Sequence, residues 1–226
     1  MRKIGIALPI SGLSREEVER RRQVVLALLP GDVEVELLAS RAGPAFLDAQ
    51  HHFSEAVDAA VALFSTIDPR EFAVVVSAGA LDPGLARARE SCSVPVIGPG
   101  EASMYLGWVI GRRLSIVTVD RHAVVATNEF LDQVTLKPPI ASIRSMETPV
   151  RRIVDDLHYG RTRLVEECAS AVRDDGARAL YLGSMTLGTL GVTDELQRTL
   201  GVPVIDPIRV GVGAAVQCVF AMADSA

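Results

Sequence analysis

Apolar residues in this chain gather into short blocks, and most blocks break off into glycine, serine or proline. Residues 72–84 read Phe-Ala-Val-Val-Val-Ser-Ala-Gly-Ala-Leu-Asp-Pro-Gly, and a weaker copy at 179–188 reads Ala-Leu-Tyr-Leu-Gly-Ser-Met-Thr-Leu-Gly. An uninterrupted apolar run of this length predicts a parallel strand buried on both faces. The small residues after it predict a polar turn at the end of the sheet, where open α/β sheets bind ligands. The repetition continues downstream: Val94-Pro-Val-Ile-Gly-Pro follows the first copy and Val202-Pro-Val-Ile-Asp-Pro follows the second. Two matched pairs at similar spacing point to an internal duplication.

Around these blocks the pattern alternates between strand and helix. Strands are predicted at 3–8, 33–38, within 72–84 and at 94–97, then at 114–119, 140–143, 179–182 and 202–205. Ser14, with Glu17 three residues later, is a capping-box signature for a helix running to about residue 29. Further helices are predicted at 53–64, from the Pro83-Gly84 pair to 90, from 100 to 110, and at 123–131, 162–174 and 211–223. Regular β/α alternation with Val- and Ile-rich strands predicts an α/β protein with parallel sheets covered by helices. The duplication divides it into two pseudosymmetric lobes, 1–97 with 206–226 and 98–205, with the active-site cleft between them.

Composition narrows the function classes. With 226 residues and 49% hydrophobic content, the chain can build its core without staples. Its three cysteines, Cys92, Cys168 and Cys218, show neither a disulfide framework nor metal-ligand spacing. A cytoplasmic location and no metal site are therefore expected. The opening Met1-Arg2 leads directly into a strand, without the apolar stretch of a signal peptide, and no segment is long enough to span a membrane. A net charge of −5 with mixed signs leaves no basic face for nucleic acid, and 4% aromatic content removes a base-stacking platform.

Several longer runs carry a family resemblance. Asp82-Pro-Gly-Leu-Ala-Arg-Ala-Arg-Glu90 with Pro95-Val-Ile-Gly-Pro-Gly-Glu-Ala102, Gly111-Arg-Arg-Leu-Ser-Ile-Val-Thr118 and Asp175-Gly-Ala-Arg-Ala-Leu-Tyr-Leu-Gly-Ser184 resemble runs of the aspartate/glutamate racemase superfamily, in its hydantoin and allantoin racemase branch. The resemblance implies two lobes with the substrate between them, no organic cofactor or metal, and a homo-oligomer. It also implies one cysteine on each side of the substrate's α-carbon. Here the second cysteine position holds Ser184, and the first falls on Ala78 or Gly79, beside Ser77.

That departure changes the expected chemistry. A thiol titrates near 8.5 and can be tuned to accept a proton, whereas a serine hydroxyl needs an adjacent base. Ser184 still suits an oxyanion donor, because holding an enolate or carboxylate oxygen takes only hydrogen-bond donors. Ser184 and Ser77 are the candidate catalytic residues. Gly79, Gly183, Thr118, Ser11 and Asp82 are candidate substrate contacts, with Thr118 and Ser11 implied by matching positions in the family. Asp82 reads equally well as a turn and helix cap. The expected ligand is a small carboxylate or cyclic amide, and the expected activity is that of an isomerase or a cofactor-free lyase. The other reading is a catalytically silent binding protein.

Overall fold

A computed structural model of the chain describes residues 3–223; Met1-Arg2 and the last three residues of the 206–226 segment lie outside the described residues. The chain folds into two four-stranded parallel sheets of identical strand order. In the first, β1 (Lys3–Leu8) lies between β2 (Glu34–Ala39) and β3 (Val74–Ser77), with β4 (Val96–Ile97) at the edge. In the second, β5 (Leu114–Thr118) lies between β6 (Ile140–Ser145) and β7 (Ala179–Leu182), with β8 (Val204–Ile205) at the edge. Register repeats with topology, since Ile6 pairs with Leu37 and Val76, while Ile116 pairs with Ile143 and Tyr181. The strands β3, β5 and β7 are buried at every residue, which is why their sequences run apolar without alternation. At the edges, Pro95 and Pro203 precede the two-residue strands and serve through their carbonyls alone, accepting from Val75 and Leu180.

Helices cover both sheets, and two of them change sides. α4 (Pro99–Ile110) follows the first sheet but packs on the second, where Met104 is buried with Leu114, Ile116 and Tyr181. α10 (Pro207–Ala223) follows the second sheet but packs on the first, through Ile208, Val212 and Ala215 against Ile4, Val74 and Val76. Each fully buried aliphatic side chain of this kind contributes about 1.5–3 kcal/mol, so the exchange fastens the halves together.

The remaining helices mostly match the sequence pattern. α1 (Arg15–Leu26), α2 (Gln50–Phe64), α3 (Leu85–Ser91) and α5 (Arg121–Gln133) fall where it places them. The pattern misses α6 (Val150–Asp155), the four-residue α8 (Met185–Gly188) and α9 (Thr193–Leu200), and starts α7 (Leu157–Asp174) late. α6 and α9 bury few positions per turn, such as Val150 and Ile153 in α6, so their periodicity is hidden among exposed arginines and carboxylates, while α8 is a single buried turn too short to show a period. No helix among the described residues is long and apolar enough to cross a membrane.

Candidate active site

The two inner strands β3 and β7 end opposite one another, and each is followed by a loop tied to the other half of the molecule. After β3 the chain turns at once: the Ala78 amide still donates to Ala7, and the Gly79 carbonyl accepts from Asp82. Glycine is required at 79, because a Cβ there would lie 2.4 Å from Cδ of Pro83. Asp82 adopts φ 50°, unusual for a residue with a side chain. Its carboxylate holds it there by accepting from the amides of Gly100 at 3.0 Å and Glu101 at 2.6 Å, in the first turn of α4. Burial pushes this carboxyl up to about 7, against the two amide hydrogens that pull it down. The same loop is pinned by Tyr181 of β7, whose hydroxyl donates to the Ala80 carbonyl at 2.5 Å.

After β7, Gly183 prolongs the strand, its amide donating to Val117 and its carbonyl accepting from the Thr118 hydroxyl at 3.3 Å. Ser184 then caps α8, its Oγ accepting from the Thr186 amide at 3.3 Å. Here the tie to the opposite half comes from α1. Arg21 donates through Nη2 to Oγ1 of Thr186 at 3.0 Å, and Arg20 donates to the carbonyl and hydroxyl oxygens of Thr189, both at 2.8 Å. Glu17 aims both guanidinium groups, accepting from Arg20 at 2.7 Å and from Nε of Arg21 at 2.8 Å.

Between these loops lies a cavity of about 210 Å³. Its walls are apolar, with Leu8, Phe53, Val57, Val119, Phe130 and Met185 prominent. Its polar groups include Arg21, Asp82, Ser184 and Glu129. The cavity brings together four of the seven residues expected at the site: Gly79, Asp82, Gly183 and Ser184. The other three do not line it. Ser77 ends β3, buried with its hydroxyl lacking a hydrogen-bond partner among the described residues. Thr118 is fully buried and reaches the site only through the Gly183 carbonyl that it supports. Ser11 is exposed and donates to the carbonyls of Gly43 and Pro44, pinning a neighbouring loop.

Ala78, Gly79 and Ser184, the positions that the resemblance matches to two cysteines, all border the cavity, and no cysteine does among the described residues. Cys168 is sealed in the core of the second half, where burial pushes its thiol up to about 12. Among the described residues, no cluster of three or more His, Cys, Asp or Glu side chains is placed to hold a metal ion.

The twin-sheet fold has counterparts in known proteins. Residues 14–215 match the family model described as Asp/Glu/Hydantoin racemase. The chain belongs to this family. It is 35% identical over 131 residues to a hydantoin racemase of Pseudomonas sp. (strain NS671), a match that covers 58% of this chain and spans about half, 52%, of that relative's length. Its fold superimposes on allantoin racemase from Klebsiella pneumoniae with a TM-score of 0.86, at 25% identity, covering 99% of this chain and 89% of that one. The structure of arylmalonate decarboxylase shares the fold alone, with a TM-score of 0.61 and 21% identity over 96% of this chain and 92% of that chain.

Within this racemase framework, Arg21 is the site residue that the sequence pattern failed to reveal. Glu17 reads as the partner of Ser14 in a capping box, but only half of that box forms. Ser14 accepts from the Glu17 amide at 3.1 Å, while the Glu17 carboxylate turns to Arg20 and Arg21. A signal was present all the same. Glu17, Arg21 and Val25 recur every fourth residue and form the buried face of α1, which puts an arginine on the side of the helix that faces the protein.

Proposed function

We propose that this racemase-family chain is an enzyme acting on a small carboxylate or cyclic amide through an enolate-like intermediate, without a pair of thiols. The observation that carries the reading is the cavity itself, apolar along its walls, polar at the two strand ends and lined by no thiol among the described residues. A substrate seated there would direct its carbonyl oxygen to the Ser184 hydroxyl and to backbone N–H groups at the strand ends. Those donors favour the charge that develops on oxygen when the α-carbon gives up a proton. Asp82 is the proposed acceptor, because a carboxyl pushed up to about 7 can take and return a proton near neutrality. Inversion takes a proton delivered to the opposite face by solvent water entering there, while Asp82 gives up to solvent the proton it took. Loss of carbon dioxide from a malonate-type acid leaves the same enolate, which keeps a lyase within the reading. In this proposal Ser77 and Thr118 position the strand ends, and Ser11 fixes the loop beside them.

The lobes of the proposal are 1–97 with 206–226, and 98–205; the crossed packing of α4 and α10 supports this division. A homo-oligomer and a cytoplasmic location complete the reading, and light scattering on the purified chain tests the first of these.

The deciding experiment is incubation of single enantiomers of 5-substituted hydantoins and of α-substituted carboxylic acids in heavy water. Deuterium at the α-carbon with loss of optical rotation marks a racemase, and carbon dioxide release from a malonate marks a lyase. A second reading, a silent binding protein, draws on the cavity's lack of any histidine or cysteine among the described residues. It predicts neither result, only ligand-dependent thermal stabilisation.

A further inference from the structure

The buried arginine distinguishes between the two ligand classes left open above. Arg21 is only 6% exposed, yet it borders the cavity. Two of its nitrogens are committed, Nε to Glu17 and Nη2 to Thr186, while Nη1 makes no hydrogen bond among the described residues. Nor is its charge matched. Glu17 contributes one negative charge to a cluster in which Arg20 and Arg21 contribute two positive ones. The charged neighbours that act on Arg21 are Glu17 and Arg20. The other carboxylates along the cavity are placed otherwise: Asp82 is taken up by the amides of α4, and Glu129 stands exposed within reach of Gln50. A buried cation with a spare donor and excess charge is stabilised by an anion that completes it, and a planar carboxylate fits a guanidinium edge.

We infer that Arg21 is the anion anchor of this cavity, so that its ligand is a monocarboxylate bearing an apolar group and not a neutral cyclic amide. The carboxylate would meet Nη1 of Arg21, and the apolar substituent would lie against Phe53, Val57 and Phe130. This rests on the reading of the cavity as the substrate site. It deepens that reading, since it favours carboxylates in a chain whose relative is a hydantoin racemase.

The test compares phenylacetate, phenylacetamide and 5-benzylhydantoin by titration calorimetry on the full chain near neutral pH. Phenylacetate should bind at least about tenfold more tightly than either neutral compound, the usual scale of one charge-assisted hydrogen bond. Arg21→Gln should erase that preference and leave the amide's affinity unchanged, whereas Arg21→Lys should restore part of it. Equal affinity for acid and amide in the unaltered protein, failure of phenylacetate to bind, or a preference that survives Arg21→Gln overturns the inference. So does a parallel loss of all three ligands in Arg21→Gln, which marks a purely structural arginine. The comparison in the unaltered protein stands even if the variant does not fold. Carboxylate preference without α-deuterium exchange would sink the enzymatic reading and leave the anchor standing. Exchange on the hydantoin without acid preference would sink the anchor alone.

Discussion

The loops after β3 and β7 hold equivalent places in a duplicated fold, yet they are fastened by opposite chemistry. The first sends a carboxylate, Asp82, across to the amides of α4 and receives a neutral phenol, Tyr181, at Ala80. The second offers hydroxyl and carbonyl oxygens, Thr186 and Thr189, to two guanidinium groups of α1. The contrast extends to the helices that change sides. α10 starts on Asp206, which sits at the end of its own strand and bonds the Ile208 amide and the Thr193 hydroxyl, each at 2.9 Å. At the matching position α4 has Gly98, where a Cβ would lie 2.6 Å from Oδ2 of Asp82. One half thus grows its capping carboxylate from the strand end, and the other borrows it from the loop beside the cavity. Duplication kept the requirement for an acid at the helix start and moved the residue that meets it. The cavity therefore gained a buried acid on one side and a buried cation on the other.

The largest test of this asymmetry is pH. The Asp82 carboxyl lies at about 7 in the fold against 3.8 when free, so the native state holds a proton that the unfolded chain releases between those values. A raised carboxyl pKa makes stability fall as pH climbs from about 4 to about 7 and level off above, by up to about 4 kcal/mol. Urea midpoints measured across that range for the parent and for Asp82→Asn check it: the difference between the two should change with pH in favour of the variant at the alkaline end.

On the cationic side, Glu17→Ala should cost about 3 kcal/mol, because it leaves the buried Arg21 guanidinium without its counter-charge and beside that of Arg20. A denaturant titration measures that loss. Added salt should reduce it, which a purely steric defect would not show.

Two smaller changes probe the β3 loop. Gly79→Ala should cost about 2 kcal/mol, since the new methyl collides with the Pro83 ring and overpacking of this size is rarely relieved. The same collision means that Gly79→Cys should not install a usable thiol, and labelling with a thiol reagent checks this. Tyr181→Phe should cost about 1.5 kcal/mol by leaving the buried Ala80 carbonyl without its donor. Its effect should appear as faster hydrogen exchange at 80–82.

Much of this architecture was legible in the sequence, because parallel strands buried on both faces leave unbroken apolar runs and a duplication prints them twice. The strand ends were legible for the same reason, and Gly79, Asp82, Gly183 and Ser184 all border the cavity. Side-chain direction was less accessible. Thr118 and Ser77 share the strand-end neighbourhood, but a strand turns alternate residues away from each other, and both point into packed protein. Arg21 was half hidden: the every-fourth spacing of Glu17, Arg21 and Val25 marks the inward face of α1, but its partner Thr186 lies 165 residues away, and no local pattern records a contact of that range. The runs that carry the family resemblance in the sequence begin at Asp82, so they did not point to the charge cluster of α1.

The smallest expected stability effect belongs to the residue with the largest expected functional one. Ser184 caps only the short α8, and removing the hydroxyl in Ser184→Ala should cost about 1 kcal/mol, an ordinary capping loss. If the hydroxyl also holds the developing oxyanion, deuterium exchange at the substrate α-carbon should slow by about a hundredfold, far more than that stability change explains. Ser184→Cys sharpens the point, because the side chain already borders the cavity and the swap adds a thiol where Gly79 has no room for one. Exchange in Ser184→Cys should become steeply pH-dependent and sensitive to alkylation, while the parent remains insensitive. A parent enzyme that loses exchange on alkylation would place a working thiol at the cavity and undo the contrast between its two sides.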